Sequence, residues 1–481
     1  MIEVQNATAT GLARLLAAAS RAPDRLPADF AEKLVTTDPG AAGVLFTYGD
    51  LARVPFGGRF LHRAATVLTA TERKDPNCWE TRSLTTAFGD GPDSTGLRDP
   101  VRGLLRAAEN SPESAQAVLG DSDLPKYFLT DQESAARPGR GRAVAELLTE
   151  ATVNHARDTH PATTPKEQSI PWNAAKISSL AIHTTADAGK IIPEARLPLA
   201  QIFSMYLPDI EKSYRIGTAP ENVDVQDHTG KRGYPNPYVT VKEGWPRYGA
   251  LVRRGDSRRA LNAIGSDGAS RKLIGRTVMA YSAYRMDQAA LEDKTNGTKD
   301  RLPSVAADSA YLTGAMISDL ADGDISDAKN LDETREKKQA KVASVFLTPL
   351  DFTVVGKALD APYPIITDFF LSEAKNLAAG DSGKPNEQIA IDRSNDGMDA
   401  AKDRLTLQAF ESARIHGHLS PTDREQWPQD PKTGAPVPVN EMTETQRGNL
   451  ASDVGSEIGT YAEKVRQGVE TKFRANVISY R

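Results

Sequence analysis

Apolar residues recur along this chain at intervals of three and four, and the recurrence is cut into short lengths by proline, glycine and serine. In RDPVRGLLRAAENSPESAQAVLG, Val101, Leu104, Leu105 and Ala108 fall on one helical face, as do Ala115, Val118 and Leu119. Asp99 before Pro100 and Ser111 before Pro112 each offer an N-cap followed by proline at the first helical position, so two short helices joined by a tight turn are predicted. Phe60, Ala64, Val67 and Leu68 make a similar stripe upstream, and Val144, Leu147, Leu148, Ala151 and His155 another downstream. These stripes are predicted core faces. Ala195 to Tyr214 reads as a helix carrying Leu199, Ile202, Phe203 and Tyr206 and closed by Pro208.

Farther along, Ile274, Val278, Tyr281 and Tyr284 repeat at helical spacing, and a second helix runs from Val305 through Leu312, Met316 and Leu320. Leu405, Ala409, Ala413 and His416 form one line with Gly417 as its stop, and Ser420 with Pro421 restarts a helix. At the C-terminal end Leu450, Val454, Ile458, Tyr461, Val465, Val469, Phe473 and Val477 are nearly all four apart. Each such step advances ~40° around an ideal helix. A long amphipathic helix that bends or crosses several partners is predicted there, with Gly455 and Gly459 permitting a close contact.

Between Tyr214 and Arg247 the texture changes to Gly, Pro, Asn and Asp, and YVTV is the only β-like alternation nearby. The pattern therefore predicts an N-terminal helical domain over 1–214, a connector over 215–246 with at most a small β-hairpin near 223–243, and a C-terminal helical domain over 247–481. The predicted fold class is mainly α, with orthogonal or bundle packing of many helices in two units.

Residues 345–370, VFLTPLDFTVVGKALDAPYPIITDFF, form an apolar stretch after the charged run ETREKKQAK. A membrane span needs roughly 20 apolar residues, and this one is interrupted by Asp351, Lys357, Asp360 and Asp368. Val345, Phe346, Leu350, Phe352, Val355, Ile365, Ile366, Phe369 and Phe370 are accordingly expected in a helical core, and no transmembrane segment is expected. MIEVQNATATGLARLLAAAS lacks a basic leader and carries Arg14 in its apolar part, so it reads as a helix and not as a secretory signal. The expectation is a chain that is cytoplasmic as synthesised.

Charge and composition narrow the chemistry. Lys plus Arg number 59 against 64 Asp plus Glu, a formal charge of -5, so nucleic acid is not an expected partner. One cysteine, Cys78, excludes an internal disulfide and a cysteine-rich zinc site; beside Trp79 it is expected to be buried. GDSGKP at Gly380 to Pro385 has the wrong spacing for a phosphate loop, and neither G-x-S-x-G nor H-E-x-x-H occurs. His416 and His418 are two apart and His155 and His160 five apart, so neither pair shares a helical face. The histidines are expected at helix ends or on the surface. The best metal candidate is DRSNDGMDAAKD, in which Asp392, Ser394, Asp396 and Asp403 occupy calcium-loop positions one, three, five and twelve around Gly397. Asp399 and Ala400 at positions eight and nine, and aspartate where the closing glutamate belongs, weigh against it. No catalytic residue and no cofactor is predicted.

AAGVLFTYGDL, DPVRGLLRAAENSPESA, KYFLTD followed by AVAELLTEAT, LAQIFSMYLPDI and GAMISDL together resemble an uncharacterised, mainly helical actinobacterial family, often encoded beside the WXG-motif proteins of type VII secretion. The resemblance extends over most of the chain and implies a helical scaffold without catalytic residues to carry over. QESAAR stands where members tend to have a tryptophan after the TD step, and a shorter N-terminal region reads as that of a shortened member. None of Trp79, Trp172, Trp245 and Trp427 begins a W-x-G, so the chain is not itself a WXG partner; the one Y-x-x-x-D, Tyr127 to Asp131, sits mid-domain. The leading expectation is a non-enzymatic scaffold or interaction module with a protein partner, associated with secretion or exported by a non-classical route. The alternatives are a toxin-like or pore-forming protein with a concealed hairpin at 345–370, and an enzyme of unrecognised class.

Overall fold

Asp99 and Ser111 start helices as their sequence context dictates. The Asp99 carboxylate accepts from the amides of Val101 and Arg102 at 3.1 Å each, and the Ser111 hydroxyl accepts from the Ser114 amide at 3.1 Å. Pro100 and Pro112 follow at positions where a missing amide costs nothing. The same device recurs at Ser420 and Pro421. The computed structural model describes residues 2–22, 24–79, 99–156, 165–216, 249–322, 339, 342–343, 397–439, 441–456 and 460–478. Helices account for nearly all regular structure among these residues; the only β feature is an isolated bridge between Gln429 and Pro436. The protein is mainly α-helical.

The chain divides into two compact units, Met1–Ile210 with Thr218–Ala263, and Glu211–Gly217 with Ile264–Arg481. The connector expected at 215–246 falls mostly outside the described residues, and YVTV with the predicted hairpin entirely so. In the first unit lie α1 (Ile2–Arg21), α2 (Phe30–Thr37), α3 (Pro39–Leu51), α4 (Gly58–Lys74), α5 (Pro100–Glu109), α6 (Pro112–Leu119), α7 (Asp123–Thr130), α8 (Gln132–Ala135), α9 (Arg140–Ala151), α10 (Pro165–Ala188) and α11 (Arg196–Met205). There α3 packs on α1 and α5, α4 on α2 and α6, α9 on α5 and α6, and α10 on α7. The predicted stripes point inward: Val101, Leu104, Leu105, Ala115, Val118, Leu119, Val144, Leu147 and Leu148 are all buried. Phe46, Phe56 and Phe60 close a ring cluster with centroids 5.8 to 6.2 Å apart.

A buried ionic knot fastens this unit. Arg140 is wholly inaccessible and donates from Nε and Nη2 to Asp99 at 2.8 and 2.6 Å, and from Nη1 to Glu72 at 2.6 Å and to Ser134 at 2.7 Å. Glu72 also meets Arg137 at 3.0 Å and accepts from the Trp79 indole at 3.1 Å. One guanidinium thus joins α4, the α5 cap, α8 and the start of α9. Burial opposes its charge, but Asp99 and Glu72 outweigh burial and raise its pKa. Cys78, beside Trp79, is buried as expected.

The segment predicted as one helix over 195–214 and closed by Pro208 is two helices, the first ending at Met205, just before that proline. Tyr206 caps α11, and α12 (Leu207–Ile216) begins at once with Pro208 in its first turn, where proline is tolerated. Downstream are α13 (Arg254–Ile264), α14 (Gly268–Asn296), α15 (Arg301–Asp322), α16 (Gly397–Ile415), α17 (Pro421–Glu425), α18 (Glu444–Asp453) and α19 (Tyr461–Ile478). In the second unit α15 packs along α19 and α14, and α16 packs on α14, α15 and α19. Val305, Leu312, Met316, Leu320, Leu405, Ala409, Val465, Val469 and Phe473 fill its core. Gly417 ends α16 at φ +82°, the left-handed stop expected of it.

The C-terminal stripe is carried by two helices, not one. The chain leaves the helical path after Asp453 and turns through Gly455 at φ +73°, then re-enters a helix at Tyr461. A Cβ on Gly455 would stand 2.8 Å from the backbone carbonyl of Ala462. The drift of a four-residue repeat is thus resolved by a sharp turn. Gly455→Ala is expected to destabilise the second unit by about 2–4 kcal/mol, from the left-handed backbone plus the clash; urea unfolding of the purified variant measures it.

No helix among the described residues is long and apolar enough to cross a membrane. Val342 and Ala343 are buried, but the nine side chains expected in the core between Val345 and Phe370, and the GDSGKP segment, lie outside the described residues.

Candidate functional site

Helix α10 has two faces. Ala174, Ala175, Ser178, Ala181 and Ile182 are buried in the first unit, while Asn173, Lys176, Leu180, His183 and Asp187 follow one another along the other side. That second side walls two cavities of about 540 and 610 Å³, which share Gly120, Asp121 and Lys176. A histidine paired with an aspartate stands in each.

In one cavity His62 Nε2 contacts Asp121 Oδ2, while Asp121 Oδ1 accepts from the amides of Asp123 and Leu124 at 3.0 and 3.1 Å, capping α7. The hydrogen bond to Asp121 raises the His62 pKa above its ordinary value, against partial burial. This pair ties α4 to the α6–α7 turn and has a structural role of its own.

The other histidine is more unusual. His183 Nδ1 lies 3.1 Å from Asp256 Oδ2, and its Nε2 lies 3.2 Å from Asp187 Oδ2. Asp187 follows four residues later on the same face of α10, whereas Asp256 comes from the first turn of α13, 73 residues downstream of His183. Arg259 lies 2.8 Å from the second oxygen of Asp256 and 3.8 Å from that of Asp187, and its Nε donates to the Ala186 carbonyl at 3.1 Å. The ligand atoms of His183, Asp187 and Asp256 lie within 4.8 Å of one another, close enough to serve one metal ion. A neutral imidazole has a single N–H, so it cannot donate to both carboxylates at once. Accordingly the hydrogen bond to Asp256 raises the His183 pKa, with Asp187 adding to it and partial burial opposing.

The residues singled out in the sequence are placed elsewhere. Asp392, Ser394 and Asp396 lie outside the described residues; Asp403 stands within α16, its carboxylate 3.7 Å from Lys402 Nζ. His155 pairs with Glu150 at 3.0 Å, His416 with Asp287 at 2.8 Å, and His418 meets the Ala290 carbonyl at 2.7 Å. These are contacts at or near helix ends, as expected. Histidine–histidine spacings do not point to His183; its four-residue spacing to Asp187 is the signal that the sequence carries.

A second surface feature lies in the same unit. Helix α1 packs on α3 through Ala9, Ala13 and Ala17, yet its outward side is also apolar: Val4, Leu12 and Leu15 are 69, 53 and 69 % exposed. Ala7, Thr8, Gly11 and Ala18 are exposed on that side too, and a Cβ added to Gly11 would meet nothing within 4 Å. The charges Glu3, Arg14 and Arg21 lie along one edge.

No protein-family model matches the chain, and neither a curated protein nor a solved structure shows significant similarity to it.

Proposed function

We propose that this protein is a non-enzymatic helical scaffold that assembles through α1, with a second copy of the same helix as the occupant of its outward face. The observation that carries the reading is the exposure of Val4, Leu12 and Leu15 on a helix whose opposite side is already buried. A helix apolar on both sides is ordinarily covered on both sides.

The face fits itself in an antiparallel pairing. Gly11 sits near the middle of α1 with Val4 on one side and Leu15 on the other, so two copies crossing at Gly11 approach closely and interleave their larger residues. The crossing also sets Glu3 of each copy beside Arg21 of the other, whereas a parallel pairing would align like charges. A single-helix contact is small, so a dissociation constant on the order of 10 µM is expected.

Sedimentation equilibrium of the whole chain tests this. A reversible dimer is expected, and both Leu15→Glu and Gly11→Leu should be monomeric at about ten times that dissociation constant. Gly11→Leu keeps the fold under control, since its side chain enters open space and improves helix propensity by up to about 1 kcal/mol. A wild-type monomer at the same concentration, or a Gly11→Leu dimer as strong as wild type, would overturn the reading. The family resemblance would set such a scaffold among secretion-associated proteins, a setting tested by looking for the chain in the culture medium of its native cells.

A further inference from the structure

We propose that His183 and Asp187 hold a divalent transition metal of the zinc type, with Asp256 orienting the histidine from behind. The inference is independent of assembly through α1.

The ring presents a nitrogen to each of two carboxylates, and something positive must fill the gap that its single N–H leaves open. A second proton is one occupant; a dication is the other. The two sides of the ring differ in what they can accept. Toward Asp256, which is 6 % exposed and held by Arg259, the 3.1 Å separation is that of an N–H···O hydrogen bond. This is the arrangement in which a carboxylate fixes the tautomer of a metal-bound histidine and raises its basicity. Toward Asp187 the geometry differs. The side chain of Asp187 is 61 % exposed, and its oxygen lies 3.2 Å from Nε2 at the edge of a 540 Å³ cavity. Two ligands each about 2.0–2.1 Å from a tetrahedral zinc stand roughly 3.3 Å apart, so the nitrogen and oxygen already span one edge of that tetrahedron.

The four-residue spacing on α10 makes the pair a chelate fixed by the helix, needing no loop closure. Imidazole with carboxylate suits zinc, cobalt or nickel better than calcium or magnesium, which take oxygen ligands. Asp256 has a second oxygen engaged by Arg259, so it serves as the orienting group and not as a third ligand. The remaining coordination positions face the cavity and take water. Arg259 and Lys176 add positive charge nearby, which sets the affinity in a micromolar range, on the order of 1–100 µM.

Cobalt(II) added to the intact chain at neutral pH, with zinc as competitor, tests the assignment. One equivalent is expected to bind and to give the visible bands of four-coordinate cobalt, which zinc then bleaches. Asp187→Asn, at an exposed position that leaves the fold alone, should weaken binding at least about tenfold, and Asp256→Asn by about 10–100-fold as an orienting group does. His183→Ala should abolish it. Absence of uptake by the wild-type chain at about 1 mM cobalt, or uptake unchanged in Asp187→Asn, would overturn the proposal.

Discussion

Arg140→Ala will destabilise the first unit by about 3–5 kcal/mol, the loss expected when one member of a buried ion cluster is removed and its partners remain. Asp99 would be left in the interior without a facing guanidinium, Glu72 would keep only Arg137 and the Trp79 indole, and Ser134 would lose its donor. Asp99 would keep its amide donors from Val101 and Arg102, so α5 should still be capped. The damage should fall on the joining of α4, α5 and α9 instead. Arg140→Lys would not rescue it, because a single ammonium cannot reproduce the paired donation to Asp99 together with the bond to Glu72. Urea unfolding followed by helical circular dichroism reads the loss, and Trp79, whose indole is bonded to Glu72 within the same knot, is one of the four tryptophans whose fluorescence should shift with it. A change below about 1 kcal/mol would mean that burial of the cluster is not what holds these helices together.

Asp293→Ala is the comparable change in the second unit, with about 3–5 kcal/mol at stake. The carboxylate is fully buried and accepts four hydrogen bonds: Thr298 Oγ1 at 2.6 Å, the amides of Arg301 and Leu302 at 3.1 and 2.9 Å, and Tyr461 Oη at 2.7 Å. It therefore links α14 to the start of α15 and to α19. Burial would raise its pKa, but the Leu302 amide, Thr298 and Tyr461 win and hold it at about 2, against 3.8. A carboxylate depressed in this way adds stability above pH 3.8 that drains as the pH falls toward 2, on the order of 2 kcal/mol in all. Chemical unfolding at pH 6 and at pH 3 should show that slope in the wild type and a shallower one in Asp293→Asn. Equal slopes would contradict the assignment.

The fold was legible where local chemistry and tertiary packing agree. Asp99-Pro100, Ser111-Pro112 and Ser420-Pro421 start helices because an N-cap and a proline act on their own few residues, whatever surrounds them. The breaks at Tyr206 and at Gly455 were harder to see. An apolar period of four continues straight across both; the first break shows only in the backbone at Tyr206, and the second in the close approach of Ala462 to Gly455. The ionic knot around Arg140 was not legible at all, and at His183 only Asp187, four residues on, leaves a mark in the sequence while Asp256 leaves none. Their members are separated by as many as 68 and 73 residues, and each alone looks like a solvated surface charge. The outward side of α1 was hidden for another reason. MIEVQNATATGLARLLAAAS reads correctly as a helix, but composition does not say which of two apolar sides meets the core.

Pairing of α1 with itself is tested most directly by single cysteines placed on its outward side, since the native Cys78 is buried. Antiparallel crossing at Gly11 brings the two copies of position 11 together, whereas the two copies of position 4 stand about 21 Å apart along the axis. Gly11→Cys is therefore predicted to form an intermolecular disulfide on mild oxidation, and Val4→Cys is predicted not to. Equal cross-linking at both positions, or none at position 11, would contradict the pairing.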